Sequence, residues 1–189
     1  MLRRSLIVLL SLFSIIPLVG FDGRPARGDL SVRLWHYGEL VPLGELLDEG
    51  VVPRCHDGSE DGILRCYNTK EELAAAVGFD LPGVDQATVE RFRASGAVIS
   101  SQATYYAIVW EHPGFEGRAC ALSQDHPDFR AIAFDNMTSS IWIPAGAGPS
   151  IYYDNVNYVG PGWVFYASVD DLNRAGCNDV ISSARRLRY

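Results

Sequence analysis

The sequence feature that most constrains the fold is an internal repeat in the C-terminal part of the chain. At an offset of 43 residues and without a gap, two stretches carry matching residues. The matches are Trp110-Glu111 with Tyr153-Asp154, Phe115-x-Gly117 with Tyr158-x-Gly160, and Asp135-Asn136-Met137-Thr138-Ser139-Ser140 with Asn178-Asp179-Val180-Ile181-Ser182-Ser183. A unit of about forty residues is too small to bury a core alone, so the two halves are predicted to pack as one domain.

The repeated segment has the composition of short strands. From Ala103 onward, runs rich in Tyr, Ile, Val and Trp are interrupted by Gly, Pro, Asn and Asp at intervals of about ten residues. This spacing predicts an all-β domain over residues 103–189, with the two halves forming a sandwich.

The matching residues have physical reasons to recur. The aromatic-x4-aromatic-x-Gly pattern is typical of a folded hairpin, in which Gly117 or Gly160 can take the positive φ that such a bend often needs. The Asx-Asx-x-x-Ser-Ser pattern places short oxygen-bearing side chains in a tight turn ahead of an apolar strand such as 141–143.

Residues 21–102 read differently, as a small mixed α/β or α-rich region. The Thr69-Lys70-Glu71-Glu72 stretch has capping-box spacing before an Ala-rich run to Val77. A second short helix is predicted from Asp85 to Arg93, ended by Gly96. We find no motif in this region that assigns it a chemistry.

The first twenty residues predict a secretory signal peptide. Arg3 and Arg4 precede an uncharged apolar run from Leu6 to Val19, and Gly20 is a small residue at a possible cleavage point. About fourteen apolar residues are fewer than the roughly 20 that a spanning helix needs. We therefore expect a soluble, secreted, extracellular protein that is not held in the membrane after cleavage.

The charge balance excludes a class of partners. The chain has 16 basic and 23 acidic residues, so removing the two arginines of the leader gives a mature formal charge of 14 − 23 = −9. Nucleic acid is an unexpected partner because its binding depends on clustered Lys and Arg. A hard cation is a more natural one.

Export also bears on the four cysteines, which are Cys55, Cys66, Cys120 and Cys177. An even number in an oxidising compartment favours disulfides over free thiols or a zinc site, and neither a C-x-x-C pair nor zinc-like histidine spacing occurs in the sequence. Four cysteines allow three connectivities, between which the sequence alone does not choose.

From about Tyr105 to Tyr189 these motifs resemble the βγ-crystallin superfamily, specifically its calcium-binding microbial type with two Greek-key motifs. The resemblance implies two four-stranded sheets packed face to face, with a strand exchanged between the halves. It also implies two calcium ions (Ca²⁺), each bound between one Asx-Asx-x-x-Ser-Ser loop and the hairpin or loop of the other half.

The resemblance implies a set of calcium ligands that agrees with the oxygen preference of the ion. In the first loop it points to Asp135 or Asn136, the Met137 carbonyl and Ser139; in the second, to Asn178 or Asp179, the Val180 carbonyl and Ser182. Glu111 and Asp154 follow the corner aromatics and are expected to contribute through side chain or backbone.

Two disulfides follow as predictions. Cys55 and Cys66 are eleven residues apart around a Gly- and Asp-rich turn, which favours a local bridge. The strand exchange that the resemblance implies would bring Cys120 near Cys177, so we expect a second bridge there.

Function is predicted to be calcium binding in a structural or binding role, without catalysis. Common hydrolase, phosphate-loop and dinucleotide motifs do not occur in the sequence. His112 and His126 could form an acid–base pair, but we expect both to be exposed in polar loops and solvated. The alternative function is a secreted metalloproteinase inhibitor, because a bacterial inhibitor family uses the same fold. The acidic turn 57–62 and the loop 144–149 are its candidate segments for entering a protease cleft.

Overall fold

The structure, a computed structural model, describes residues 29–59, 61–98 and 103–188. The predicted signal peptide, residues 1–20, lies outside the described residues. Within them the elements are β1 (Arg33–His36), β2 (Glu39–Pro42), α1 (Leu43–Asp48), β3 (Arg54–His56), β4 (Arg65–Tyr67), α2 (Lys70–Val77), α3 (Gln86–Ser95), β5 (Ala107–His112), β6 (Glu116–Leu122), β7 (Ser140–Trp142), β8 (Ser150–Asn155), β9 (Val159–Phe165) and β10 (Ser183–Arg186), with short 3-10 helices at Phe129–Ile132, Val156–Tyr158 and Leu172–Ala175.

Both helices predicted in the N-terminal region are confirmed. Thr69 caps α2 in a full capping box, in which its hydroxyl accepts from the Glu72 amide and the Glu72 carboxylate accepts from the Thr69 amide. Asp85 caps α3, and Gly96 ends it in the left-handed conformation that glycine tolerates best. These local signals fix both helices.

The C-terminal part is the predicted pair of Greek-key sheets. In the first half β5 pairs with β6 and β7, and in the second half β8 pairs with β9 and β10. The exchange between halves consists of two antiparallel bridges, which join His126 to Ala184 and Val169 to Ile141. Each three-stranded group therefore receives its fourth strand from the other half.

The first sheet extends further than the sequence predicts. Its seven strands run in the order β2-β1-β4-β3-β6-β5-β7, and the junction is a parallel pairing of β3 with β6. Strands of the N-terminal region thus continue the first Greek-key sheet. The boundary placed at residues 102 and 103 stays a prediction, because residues 99–102 are not described.

Strand β5 is buried because it has a core on each side. Ala107 and Val109 belong to the core between the two sheets. Ile108 and Trp110 point the other way, into a second core that they share with Leu73 of α2. Alternate residues therefore point into different cores, and both faces of β5 are apolar, as expected of a strand that is covered on both sides.

The predicted Cys55–Cys66 disulfide is confirmed, and it joins β3 to β4. The predicted Cys120–Cys177 bridge is wrong, because both residues are free and buried. The exchanged bridges form at His126 and Val169, so neither cysteine lies on an exchanged segment. Each thiol instead fills part of the apolar core between the sheets, where burial raises its pKa, to about 11 for Cys177.

A search of the described helices for a membrane span found none of sufficient length and hydropathy.

Candidate functional site

The two Asx-Asx-x-x-Ser-Ser loops face each other across the approximate twofold axis of the repeat. The Asn136 amide donates to the Ile181 carbonyl at 3.0 Å, and the Asp179 amide donates to the Thr138 carbonyl at 3.0 Å. These reciprocal bonds place the second Asx of each loop beside the other loop. The two loops, which are 43 residues apart in the sequence, are thus related by symmetry in the structure.

The second Asx of each loop has a conformational requirement. Both Asn136 and Asp179 have a φ of 54°, in the left-handed region. Among residues with a side chain, Asn and Asp enter this region most readily. The requirement explains why an Asx residue stands at this point in both halves.

The two serines of each loop have separate tasks. The Ser139 amide donates to the Trp110 carbonyl at 2.8 Å, which ties the loop to the corner of the β5–β6 hairpin. The Ser140 hydroxyl donates to the His112 carbonyl at 2.7 Å and accepts from the Phe115 amide at 3.1 Å. Ser182 and Ser183 make the equivalent bonds to the β8–β9 hairpin. The second serine therefore secures the hairpin and leaves the first free to face the opposite loop.

In the first half, the two loops and the β5–β6 hairpin line an open pocket of about 280 Å³. The Ser139 hydroxyl, from the first loop, donates to Oδ1 of Asp179, from the second, at 3.0 Å. The pocket is lined by Glu111, His112, Pro113, Met137, Ser139, Asn173, Asn178 and Asp179. It thus brings together five of the ten predicted ligands, and it draws its Asx residues from the opposite loop.

The second half repeats the contact between a serine and the opposite Asx. The Ser182 hydroxyl lies 3.5 Å from Oδ1 of Asn136. Asp154 and Val180 occupy, at the same offset of 43 residues, the positions of Glu111 and Met137. Asp135, the first Asx of the first loop, completes the predicted set.

Each loop contains one buried side-chain oxygen atom that lacks a hydrogen-bond donor in the described ranges. Oδ1 of Asp135 and Oδ1 of Asn178, at equivalent positions, are buried without a hydrogen-bond partner among the described residues. An acceptor that is buried without a donor costs free energy, so a cation or a water molecule near it would be stabilising.

The available donors suit calcium better than zinc or another transition metal. Within the described residues, His, Cys, Asp and Glu do not gather in groups of three that could hold a metal. What the loops offer is a mixture of carboxylate, amide, hydroxyl and backbone carbonyl oxygens. Calcium accepts such a mixture, in flexible geometry.

The sequence did not identify Arg118 as part of the site. Its Nε lies 3.2 Å from Oε2 of Glu111, and the side chain of Arg118 is 5% exposed. Its Nη2 lies 2.8 Å from the sulfur of Met137. The signal that could have found it is a break in the repeat, because the matching residue in the second half is Pro161.

The two histidines that could form an acid–base pair lie in different surroundings. His126 is buried, and its Nε2 lies 2.6 Å from Oδ2 of Asp57. Asp57 also accepts from the Ser123 amide at 2.7 Å. His112 is exposed at the rim of the first pocket. The expectation that His126 lies exposed in a polar loop is wrong, because its ring is buried against Asp57. This contact joins the acidic turn of the N-terminal region to the Greek-key domain.

The two segments considered for protease inhibition are partly anchored. The acidic turn begins at Asp57, whose side chain is 2% exposed. In the loop 144–149, Pro144 and Ala147 are buried, while Ala145, Gly146 and Gly148 are exposed.

Comparison with known proteins assigns the C-terminal domain to a family. The model of the family described as Beta/Gamma crystallin matches residues 106–187. A search of curated proteins gave no match. Similar solved structures are a βγ-crystallin from an archaeon (27% identity, 44% of this chain and 99% of that one, TM-score 0.41) and a βγ-crystallin domain from Flavobacterium johnsoniae (24% identity, 42% and 91%, TM-score 0.39). A βγ-crystallin from Ciona intestinalis is 22% identical over 43% of this chain and 98% of that one, with a TM-score of 0.40. Residues 106–187 of this chain therefore form a domain of the Beta/Gamma crystallin family.

Proposed function

We propose that this protein is a secreted calcium-binding βγ-crystallin-like protein with a structural or binding role and without catalytic activity. The observation that carries the proposal is the facing of the two loops, in which Ser139 meets Asp179 and Ser182 meets Asn136. Two ions are proposed, one between each serine and the opposite Asx. Bound calcium would join the two halves, since each site takes oxygens from both.

Secretion is supported by two features. The leader at residues 1–20 has the charge and apolar pattern of a signal peptide. The Cys55–Cys66 disulfide is the type of bond that persists in oxidising compartments. Extracellular calcium, in the millimolar range, would match the weak binding that is usual for extracellular modules.

Calcium binding is favoured over protease inhibition as the proposal. An inhibitor needs an exposed segment that can enter a cleft. The acidic turn is held at Asp57 by His126, and the loop 144–149 is held at Ala147 by its burial. Titration against a panel of secreted metalloproteinases is expected to leave them active at micromolar concentrations of this protein.

The proposal is tested by calorimetric titration and thermal unfolding of the mature, calcium-free protein. We expect two calcium ions per chain and a melting temperature that rises by several degrees in millimolar calcium. A ligand that binds only the folded state at about 100 times its Kd adds about 2.7 kcal/mol per site. Magnesium is expected to do much less, because it prefers a strict octahedron and retains its water. A calcium-free protein that bound no calcium, and melted at the same temperature in calcium and in chelator, would refute the proposal.

Matched variants locate the sites. Ser139→Arg places a guanidinium beside Asp179, and Ser182→Arg places one beside Asn136. Each variant is expected to bind one calcium fewer, with weaker binding at the remaining site through the shared loops. Ser95→Arg, on the exposed end of α3, is the matched control and is expected to retain both sites.

A further inference from the structure

The two proposed sites differ at a position where the repeat has a buried charge in only one half. Arg118 on β6 corresponds, at the 43-residue offset, to Pro161 on β9. Arg118 is buried at 4% exposure, whereas Pro161 is exposed. This difference puts a fixed cation beside the first site and none at the matching point of the second.

Arg118 contacts both hairpin and loop at the first site. Its backbone amide and its Nε each donate to Oε2 of Glu111 at 3.2 Å. Its Nη2 lies 2.8 Å from the sulfur of Met137, and its guanidinium carbon lies 5.7 Å from the ring centroid of Phe134. The guanidinium thus has a defined position against two of the residues that line the first pocket. It also neutralises one of the two carboxylates there, leaving Asp179 as the unbalanced negative charge.

At the second site the matching carboxylate is not neutralised. Asp154 corresponds to Glu111 and forms no ion pair within the part of the chain that the structure describes. Asp135, from the first loop, is the other carboxylate. Formal charges therefore sum to −1 at the first site, from Glu111, Asp179 and Arg118, and to −2 at the second, from Asp154 and Asp135. Arg130, the counterpart of Asn173 in the first pocket, leaves this difference in place because it is 60% exposed and its charge is balanced by its ion pair with Asp128.

We propose that Arg118 is an affinity-determining residue that weakens the first calcium site, so that the second site, at Ser182, fills first. The inference rests on the proposed calcium binding. A cation within a few Å of a second cation opposes its binding, and calcium affinity follows the charge of the ligand set. The burial of Arg118 reduces screening by water and salt, and this preserves the effect at physiological ionic strength.

The test isolates the first site. In the Ser182→Arg background, which blocks the second site, calcium is titrated calorimetrically into proteins with Arg118, Arg118→Lys or Arg118→Met. We expect Arg118→Met to tighten the remaining site about tenfold, since Glu111 becomes available to the ion. Arg118→Lys keeps the positive charge and is expected to keep the weak site, whereas a purely structural role would make both variants behave alike. Thermal unfolding in chelator checks that each variant folds.

The reciprocal variant tests the same idea on an exposed residue. Pro161→Arg in the Ser139→Arg background, which leaves only the second site, is expected to weaken calcium binding severalfold by giving Asp154 a cationic partner. Equal affinity with Arg118 and Arg118→Met, or a wild-type protein whose two sites fill together, would overturn the inference while the proposed function stands. A wild-type protein that binds no calcium would overturn both.

Discussion

The two halves of the βγ-crystallin domain have nearly the same backbone and very different surroundings. Their loops and hairpin corners match at the 43-residue offset, as do the 3-10 helices Phe129–Ile132 and Leu172–Ala175, and Phe115 and Tyr158 share a φ of 62°. In the first half, however, β6 is an inner strand because β3 pairs with it, while in the second half the matching β9 is an edge strand. The comparison separates what the Greek-key motif itself requires from what its neighbours add.

Side chains of the two matching strands follow this difference. Arg118, Ala119, Cys120 and Ala121 of β6 are buried, whereas Val159 and Val164 of β9 are exposed. Pro161 lies on β9, where a proline is tolerated because an edge strand has unpaired backbone groups. An edge carrying proline is also a poor template for aggregation. The N-terminal region thus covers the first half, and the second half protects its own edge.

The largest expected effect comes from breaking the connection between the N-terminal region and the first half. Asp57→Ala leaves buried His126 and the Ser123 amide without their acceptor. A buried donor left without its acceptor typically costs about 1–3 kcal/mol, and two donors are affected, so the total is about 3–5 kcal/mol. We expect a loss of that size in the free energy of unfolding, measured in urea. Asp80→Ala, at an exposed aspartate, is the control and is expected to cost less than about 0.5 kcal/mol.

The outcome of that test also decides whether the two regions unfold together. A single transition that shifts to lower urea would mean that the N-terminal strands and the Greek-key domain form one cooperative unit. An Asp57→Ala protein with unchanged stability would mean that the contacts of Asp57 with His126 and Ser123 add little to the stability of the first half.

Sequence reasoning succeeded where either a local rule or a repeat applied. The capping box at Thr69, the glycine that ends α3 and the 43-residue repeat each depend on residues close in sequence or on two copies of one pattern. The parallel pairing of β3 with β6 was not predictable in this way. Strand β3 is three residues long, and its partner lies more than sixty residues away.

The residues of the candidate site also differ in whether the sequence could identify them. The loop residues could be identified because their pattern appears twice, and the structure brings four of them, with Glu111 of the hairpin, around one pocket. The contribution of Arg118 was not, since it lies outside the repeat and its role depends on burial. The Cys120–Cys177 pairing failed for a related reason: the exchanged segments were predicted, but their position along the chain was not.

An intermediate loss of stability is expected at acidic pH, from His56 on the strand that covers the first half. Burial lowers the pKa of His56 to about 4, opposed by Asp57 and assisted by Arg65. Because the unfolded chain binds this proton near pH 6.5, the contribution of His56 is intact above that pH and declines as the pH falls toward 4. We expect a loss of about 3 kcal/mol over this window, additional to the titration of carboxylates.

Unfolding measured at pH 7 and at pH 4.5 tests this expectation. His56→Phe retains a ring between Tyr67 and Tyr105 but no longer titrates, so its stability is expected to fall less than that of the wild type. His112→Gln, at an exposed histidine, is expected to follow the wild type. Equal pH dependence in the wild type and His56→Phe would contradict the assignment.

The smallest expected loss of stability comes from replacing the hairpin-corner glycine that both halves contain. Gly117 and Gly160 have φ values of 78° and 85° at the hairpin corners, so alanine is strained at both. The added Cβ would also meet the His112 ring at 2.8 Å or the Asn155 amide at 2.5 Å, but both side chains are exposed and can move. We therefore expect Gly117→Ala and Gly160→Ala each to cost about 1–2 kcal/mol, mainly from the backbone. Gly44→Ala, inside α1 and without a positive φ, is expected to be neutral or stabilising. If the requirement belongs to the Greek-key motif, thermal melts of the two hairpin variants will fall by similar amounts, although one corner is covered and the other is open. A much larger fall for Gly117→Ala would mean that the neighbours of the first half, rather than the motif, determine its cost.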